Sequence, residues 1–124
     1  MRTREVLIVV RRGTEFLVVH RSPENDAYWH QIAGGVENGE TFAEAAVREL
    51  QEETGLDATV QPLDAPFYYE SVHVEAFIVD VPLGWEPTLD WEHDDYRWCD
   101  PDEADALLHW ADTRHALQEL LGRP

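Results

Sequence analysis

Between Gly34 and Leu56 the chain holds to one spacing of glycine and charge: Gly34, Glu40, Arg48-Glu49-Leu50, Glu52-Glu53, Gly55-Leu56. On a helix, the i, i+3, i+4 spacing sets Glu49, Glu52 and Glu53 on one side of the rod. Thr41 and Glu44 form the S/T-x-x-E capping box that opens such a helix, and Gly55 stands where a left-handed residue would close it. Ala43, Ala46, Val47 and Leu50 make an apolar stripe. The acidic trio is centred about 120° from that stripe on a helical wheel. One side of the helix should therefore pack on a sheet while the other faces a cleft. Three carboxylates held so close repel one another unless a cation lies between them, and oxygen ligands of this kind select Mg²⁺ or Mn²⁺.

A solvated acidic helix face would account for the glutamates, but not for the glycines or the spacing. At roughly a twentieth usage per residue, a chance match is on the order of one in ten billion per register. Written out, the pattern is G-x5-E-x7-R-E-U-x-E-E-x-G-U, with U aliphatic, and it resembles the complete Nudix box. The resemblance implies an α/β/α sandwich around a mixed β-sheet. It also implies hydrolysis of phosphoric anhydride bonds with Mg²⁺ or Mn²⁺, water attacking a phosphorus of a diphosphate linkage. The substrate would be a nucleoside polyphosphate or a nucleoside-diphosphate-linked molecule. By the same resemblance Glu53 is a principal metal ligand, and Glu49 and Glu52 share ligand and base duties. Arg48 positions the acidic cluster, and Glu40 supports the loop or a second metal. Gly34, Gly35 and Gly39 let the backbone turn tightly and approach a ligand closely.

A second segment, Trp91-Glu92-His93-Asp94-Asp95-Tyr96-Arg97-Trp98, resembles the E-H-x-x-Y-x-W stretch of two Nudix groups. These are the diadenosine tetraphosphate hydrolases and the dihydroneopterin triphosphate pyrophosphohydrolases. In them the glutamate reaches the metal cluster from another strand or loop, which makes Glu92 a candidate ligand or base; the alternative is a surface acid. Asp100-Pro101 and the run through Trp110, Ala116 and Leu117 look like the second group. So does the absence of a proline before Gly34-Gly35, which tells against a generic sugar-nucleotide hydrolase. Dihydroneopterin triphosphate and dinucleoside polyphosphates are thus the substrates to expect. Arg21 has a family counterpart that faces the phosphates, though a solvated strand end is the equal alternative. Tyr28 and Trp29 could stack on a base or pterin, or simply fill the core. His20, His30, His73 and His93 show no metal spacing and read as polar strand or loop residues.

Along the chain, Val6 to Val10 and Glu15 to Arg21 read as a hairpin around Arg12-Gly13-Thr14. Tyr28 to Ala33 reads as a short strand. Ala58 to Tyr69 and Val72 to Val81 read as a linked pair, the latter apolar on both faces. Tyr96 to Cys99 is a further strand. Asp100-Pro101 opens a helix, and a last helix from about Thr113 is closed by Gly122 and Pro124. The length fits one domain, residues 1–124.

The formal net charge is −17, and all nine basic residues are arginine. An acidic chain is a poor partner for nucleic acid. The lack of lysine excludes a P-loop and Lys-based covalent catalysis. A phosphate substrate must therefore be offset locally, by metal and a few arginines. Cys99, the single cysteine, excludes an internal disulfide and reads as a core residue. The apolar run at Val6 to Val10 is too short for a signal peptide or membrane span, so a soluble, cytoplasmic protein is expected. Its oligomeric state is left open, a homodimer included. The competing function is a catalytically silent Nudix module that senses a nucleotide. Such modules have usually lost a box glutamate, and here none is missing.

Overall fold

The run Val6 to Val10 is the middle of β1 (Arg4–Arg12), the central strand of a seven-stranded mixed sheet. The computed structural model describes residues 3–108 and 110–122. Gly13, with φ of +62°, turns the chain into β2 (Glu15–Arg21), which pairs antiparallel with β1 as expected of a hairpin. Next come β3 (Trp29–His30), β4 (Ile32–Gly35) and α1 (Phe42–Thr54). The pair β5 (Gln61–Tyr69) and β6 (Val72–Asp80) is followed by β7 (His93–Cys99), α2 (Pro101–Leu107) and α3 (Ala111–Leu121). β6 runs parallel to β1, Arg4–Arg11 against His73–Asp80, while the other pairings are antiparallel.

Alternation along β1 builds the two cores. Leu7 and Val9 face one side with Val74, Ala76 and Ile78, beneath Ala104 and Leu108 of the α2 segment and Ala116 and Leu117 of α3. Val6, Ile8 and Val10 face the other with Phe77 and Val79, beneath Ala45, Ala46 and Leu50 of α1. The architecture is the expected α/β/α sandwich, and β6 is covered on both faces. Complete burial of a side chain such as Leu50 contributes about 2 kcal/mol of transfer free energy. Cys99 lies in the first core, and burial pushes its thiol pKa up.

Several boundaries differ from the sequence reading. The strand expected from Tyr28 to Ala33 is two strands that change partner at Gln31: β3 lies on β2, β4 on β1. Gln31 is fully buried; its backbone N–H donates to Thr113 Oγ1 at 3.0 Å and its side-chain amide to the Thr113 carbonyl at 2.6 Å. A tertiary clamp to α3 thus replaces a ladder bond, and periodicity cannot show that. β7 begins at His93 rather than Tyr96, because backbone pairing to β2 continues through polar residues. β5 begins at Gln61 and α3 at Ala111. Gly122 ends α3 in a left-handed conformation; Pro124 lies outside the described residues.

Candidate active site

Helix α1 begins and ends as its sequence dictates. Thr41 accepts from the Glu44 N–H and Glu44 accepts from the Thr41 N–H, while Gly55 closes the helix with φ of +78°. Its buried face differs from expectation. Ala43 is exposed, and the stripe runs through Ala45, Ala46, Leu50, Glu53 and Thr54. Glu53 therefore sits within the packed face, 1% exposed, rather than on an open cleft wall. Glu49 is partly buried beside it, and Glu52 is exposed. The trio is not equivalent: one carboxylate is inside, one at the boundary and one in solvent.

Arg48 organises the boundary. Its guanidinium grips Glu40 through two bonds, 2.7 and 3.0 Å, and donates to Glu49 at 2.9 Å and Glu52 at 3.2 Å. It also donates to the Gly35 carbonyl at 2.8 Å, tying the glycine strand to the helix. Contact with Glu40, and next with Glu49, holds Arg48 more firmly charged than usual, and Arg48 in turn lowers the Glu40 pKa. Glu40 accepts from the Glu37 N–H at 2.8 Å, which braces the loop before α1. Glu40 is thus a loop support, as one of its two expected roles required.

Glu53 is the anomaly. Burial first, then the adjacent Glu49 carboxyl and the fields of Glu92 and Asp90, push its pKa up to about 11. Its Oε2 is buried without a hydrogen-bond partner, and its Oε1 lies 3.6 Å from Nε2 of His93. His93 is itself buried and holds Asp90 at 3.0 Å through Nδ1. Among the described residues no three acidic, histidine or cysteine side chains are gathered closely enough to hold a metal ion as they stand. The donor set nevertheless fits a divalent cation. An orphaned buried carboxylate oxygen on Glu53, the neighbouring Glu49 and the nearby charge of Glu92 are hard oxygen groups whose repulsion a cation would relieve.

A cavity of about 500 Å³ opens over this cluster, lined among others by Gly34, Glu49, Glu92, Arg21, Tyr28 and His30. Arg21 is held at its wall by a 2.9 Å bond from Nε to the Asn25 carbonyl, with its guanidinium 5.4 Å from the centre of the Tyr28 ring. The structure thus gathers Arg21, Gly34, Glu49 and Glu92 around one space. Glu52, Arg48, Gly35 and Glu53 stand behind or beside that wall. Gly34 must be glycine for a local reason: a Cβ there would collide with the carboxyl group of Glu49. Gly34→Ala should fold, because Glu49 can swing aside, yet lose roughly 10–100-fold in activity as that carboxylate is displaced. Steady-state kinetics beside a thermal melt checks this, and unaltered kcat/KM would show that Glu49 has no fixed post.

A second, mostly apolar cavity of about 560 Å³ adjoins the first and shares Tyr28, Tyr69 and Asp112 with it. Phe67, Trp110 and Ala111 complete much of its wall. Tyr28 thus faces both spaces, whereas Trp29 packs against the core, its ring 4.9 Å from that of His20. Tyr69 and Asp112 were not singled out by the sequence, since strand β5 and the first turn of α3 meet only in the fold. His93 and Asp90 were missed as well. The only hint was their i, i+3 spacing beside Glu92. Of the other histidines, His20 pairs with Asp94 at 2.7 Å, His73 with Glu75, and His30 bonds the Gln31 carbonyl at 2.6 Å.

A family model described as the NUDIX domain matches residues 1–120. An octanoyltransferase of Myxococcus xanthus is 37% identical over 95% of the chain, but the match takes in only 36% of that protein's length. The asymmetrical bis(5'-nucleosyl)-tetraphosphatase of Sus scrofa is 32% identical, covering 95% of the chain and 86% of that protein. Among solved structures, the Escherichia coli dihydroneopterin triphosphate pyrophosphohydrolase superposes with a TM-score of 0.82 at 25% identity, over 95% of the chain and 94% of its own. No helix among the described residues is long and apolar enough to cross a membrane.

Proposed function

Because the chain belongs to the NUDIX domain family, we propose that residues 1–124 form one domain acting in the cytoplasm as a Mg²⁺- or Mn²⁺-dependent pyrophosphohydrolase. It cleaves a diphosphate linkage in a nucleoside-polyphosphate-type small molecule, with dihydroneopterin triphosphate and dinucleoside polyphosphates as the leading candidates. The observation that carries this reading is the buried Glu53 carboxyl, one oxygen of it without a hydrogen-bond donor, next to Glu49 on the wall of a cavity lined also by Glu92 and Arg21.

Glu53 and Glu49 would hold the cation, with Glu52 close by on the helix rim and Arg48 setting the acidic side chains in place. A divalent cation bound there would offset phosphate charge and make a nearby water easier to deprotonate. Glu92, on the wall of the same cavity, would take the proton from an attacking water. Arg21, on the wall of that cavity, would meet phosphate oxygens, local positive charge in a chain that is otherwise strongly acidic. The adjoining aromatic space suits a flat heterocycle: stacking on side chains such as Tyr28 and Trp110 is worth about 1–3 kcal/mol per ring. Both candidate substrates carry such a ring at the end of a phosphate chain.

A panel of canonical and oxidised nucleoside triphosphates, dinucleoside polyphosphates, ADP-ribose and dihydroneopterin triphosphate, incubated with Mg²⁺ and resolved by HPLC, tests the reading. One class should be hydrolysed, and rigorous chelation should reduce its turnover to background. Failure to cleave any member, or turnover that survives chelation, would overturn it.

A further inference from the structure

Two side chains in line with Glu53, the half-buried Asp90 and the buried His93, are left without a role by the catalytic reading. Asp90 lies near the end of the β6–β7 loop and His93 opens β7, three residues on. Their side chains meet at 3.0 Å, Asp90 Oδ1 to His93 Nδ1, and the His93 backbone N–H donates to the Asp90 carbonyl at 3.3 Å. The far nitrogen of the same ring, Nε2, faces Glu53 Oε1 at 3.6 Å, with both side chains almost wholly out of solvent. That separation is long for a hydrogen bond and too short for a water to lie between. The ring is fixed at two points, by β7 on the backbone and by Asp90 on the side chain. It therefore cannot retreat from Glu53 without breaking the contact to Asp90. Of the two Glu53 oxygens, Oε1 lies 3.6 Å from the imidazole, while Oε2 is buried without a hydrogen-bond donor, the Glu49 carboxyl being adjacent.

We propose that the Asp90–His93 pair is a positioning device for Glu53, fixing Oε1 so that Oε2 is left as the oxygen that binds a divalent cation. The proposal rests on the reading of Glu53 as a metal ligand. Partners that hold a ligating carboxylate from behind govern metal affinity nearly as much as the ligands do, and losing one costs about 10–100-fold. His93 is thus a positioning residue rather than a catalytic one, and it acts on Glu53 from β7, whereas Glu49 and Arg48 belong to α1 itself.

Two substitutions separate this role from mere packing. His93→Gln can keep an amide nitrogen where Nε2 faces Glu53 but loses the bond to Asp90. His93→Asn can keep a nitrogen toward Asp90 but leaves Glu53 uncontacted. Mn²⁺ binding to the full-length protein, read by EPR of the free ion, should weaken by about 10–100-fold in His93→Asn. It should weaken clearly less in His93→Gln, which keeps the contact to Glu53 without its anchor, with melting temperatures of the two metal-free variants close to each other. Asp90→Asn leaves the ring in place with a weakened anchor and should show an intermediate loss; it serves as the test if a His93 variant does not fold. Glu53→Gln is the reference. If Glu53→Gln loses Mn²⁺ while His93→Asn and Asp90→Asn bind it as wild type does, the positioning role is overturned and the ligand reading stands. If Glu53→Gln binds Mn²⁺ normally, the ligand reading falls and the proposal with it. Equal weakening in His93→Asn and His93→Gln would overturn it too, since the contact to Glu53 would then make no difference.

Discussion

Glu53→Gln should lower kcat/KM by about 10³-fold, because the metal's transition-state contribution of several kcal/mol depends on this ligand. The same change should make the metal-free protein more robust at neutral and alkaline pH. Glu53 is buried among acidic neighbours, with its pKa pushed from 4.5 to about 11. Below the lower value both folded and unfolded chains carry the proton, and stability does not respond. Between the two, the folded chain keeps a proton that the unfolded chain releases, so stability falls as pH rises, by up to about 1.4 kcal/mol per pH unit. Glutamine cannot titrate and removes that slope. Thermal melts of both proteins in EDTA across the neutral range give the comparison: the wild type should lose Tm with rising pH faster than the variant. Parallel slopes would mean that Glu53 is not held neutral in the empty protein. Full activity in the variant would end its assignment as a ligand.

Glu92→Gln should slow the chemical step by roughly 10²–10⁴-fold with little change in KM, the expected effect of removing a general base. Glu92 lies on the cavity wall with Glu49, and its charge is felt at Glu53. Its backbone carbonyl accepts from the Ser22 N–H at 2.9 Å, so its position is set by the loop after β2 rather than by its own side chain. The control is two residues away. Asp94 is exposed and paired with His20 at 2.7 Å, and it does not line the cavity. Asp94→Asn should leave kcat near wild type. Should both substitutions do little, the base belongs to helix α1.

The local rules were fully legible. Thr41, Glu44 and Gly55 specify where α1 starts and stops through bonds made within a few residues, and the alternation of β6 states that both its faces are covered. What the sequence hid were relations between elements. A helical wheel gives the angle between Glu53 and Leu50 but not the breadth of the surface packed against them, and so the burial of Glu53 was invisible. The change of partner at Gln31 depends on Thr113, which is 82 residues away. The line from Asp90 through His93 to Glu53 joins a loop, a strand and a helix that only the folded sheet brings together. Among the expected site residues, Arg21, Gly34, Glu49 and Glu92 were placed around one cavity by four different segments. Their motif and resemblance pointed to them; their distances had to come from the fold.

The clamp between Gln31 and Thr113 has a consequence for what the cleft can measure. Gln31 sits three residues before Gly34, which walls the first cavity, while Thr113 follows Trp110 and Asp112, which wall the aromatic space. Two buried hydrogen bonds tie these walls together. If the proposed reaction takes place here, the distance from aromatic space to scissile linkage would be a set length, and the cleft would act as a ruler. A substrate would then be judged by the number of phosphates between its ring and the bond to be cut, because a chain too short or too long would not fill both cavities at once.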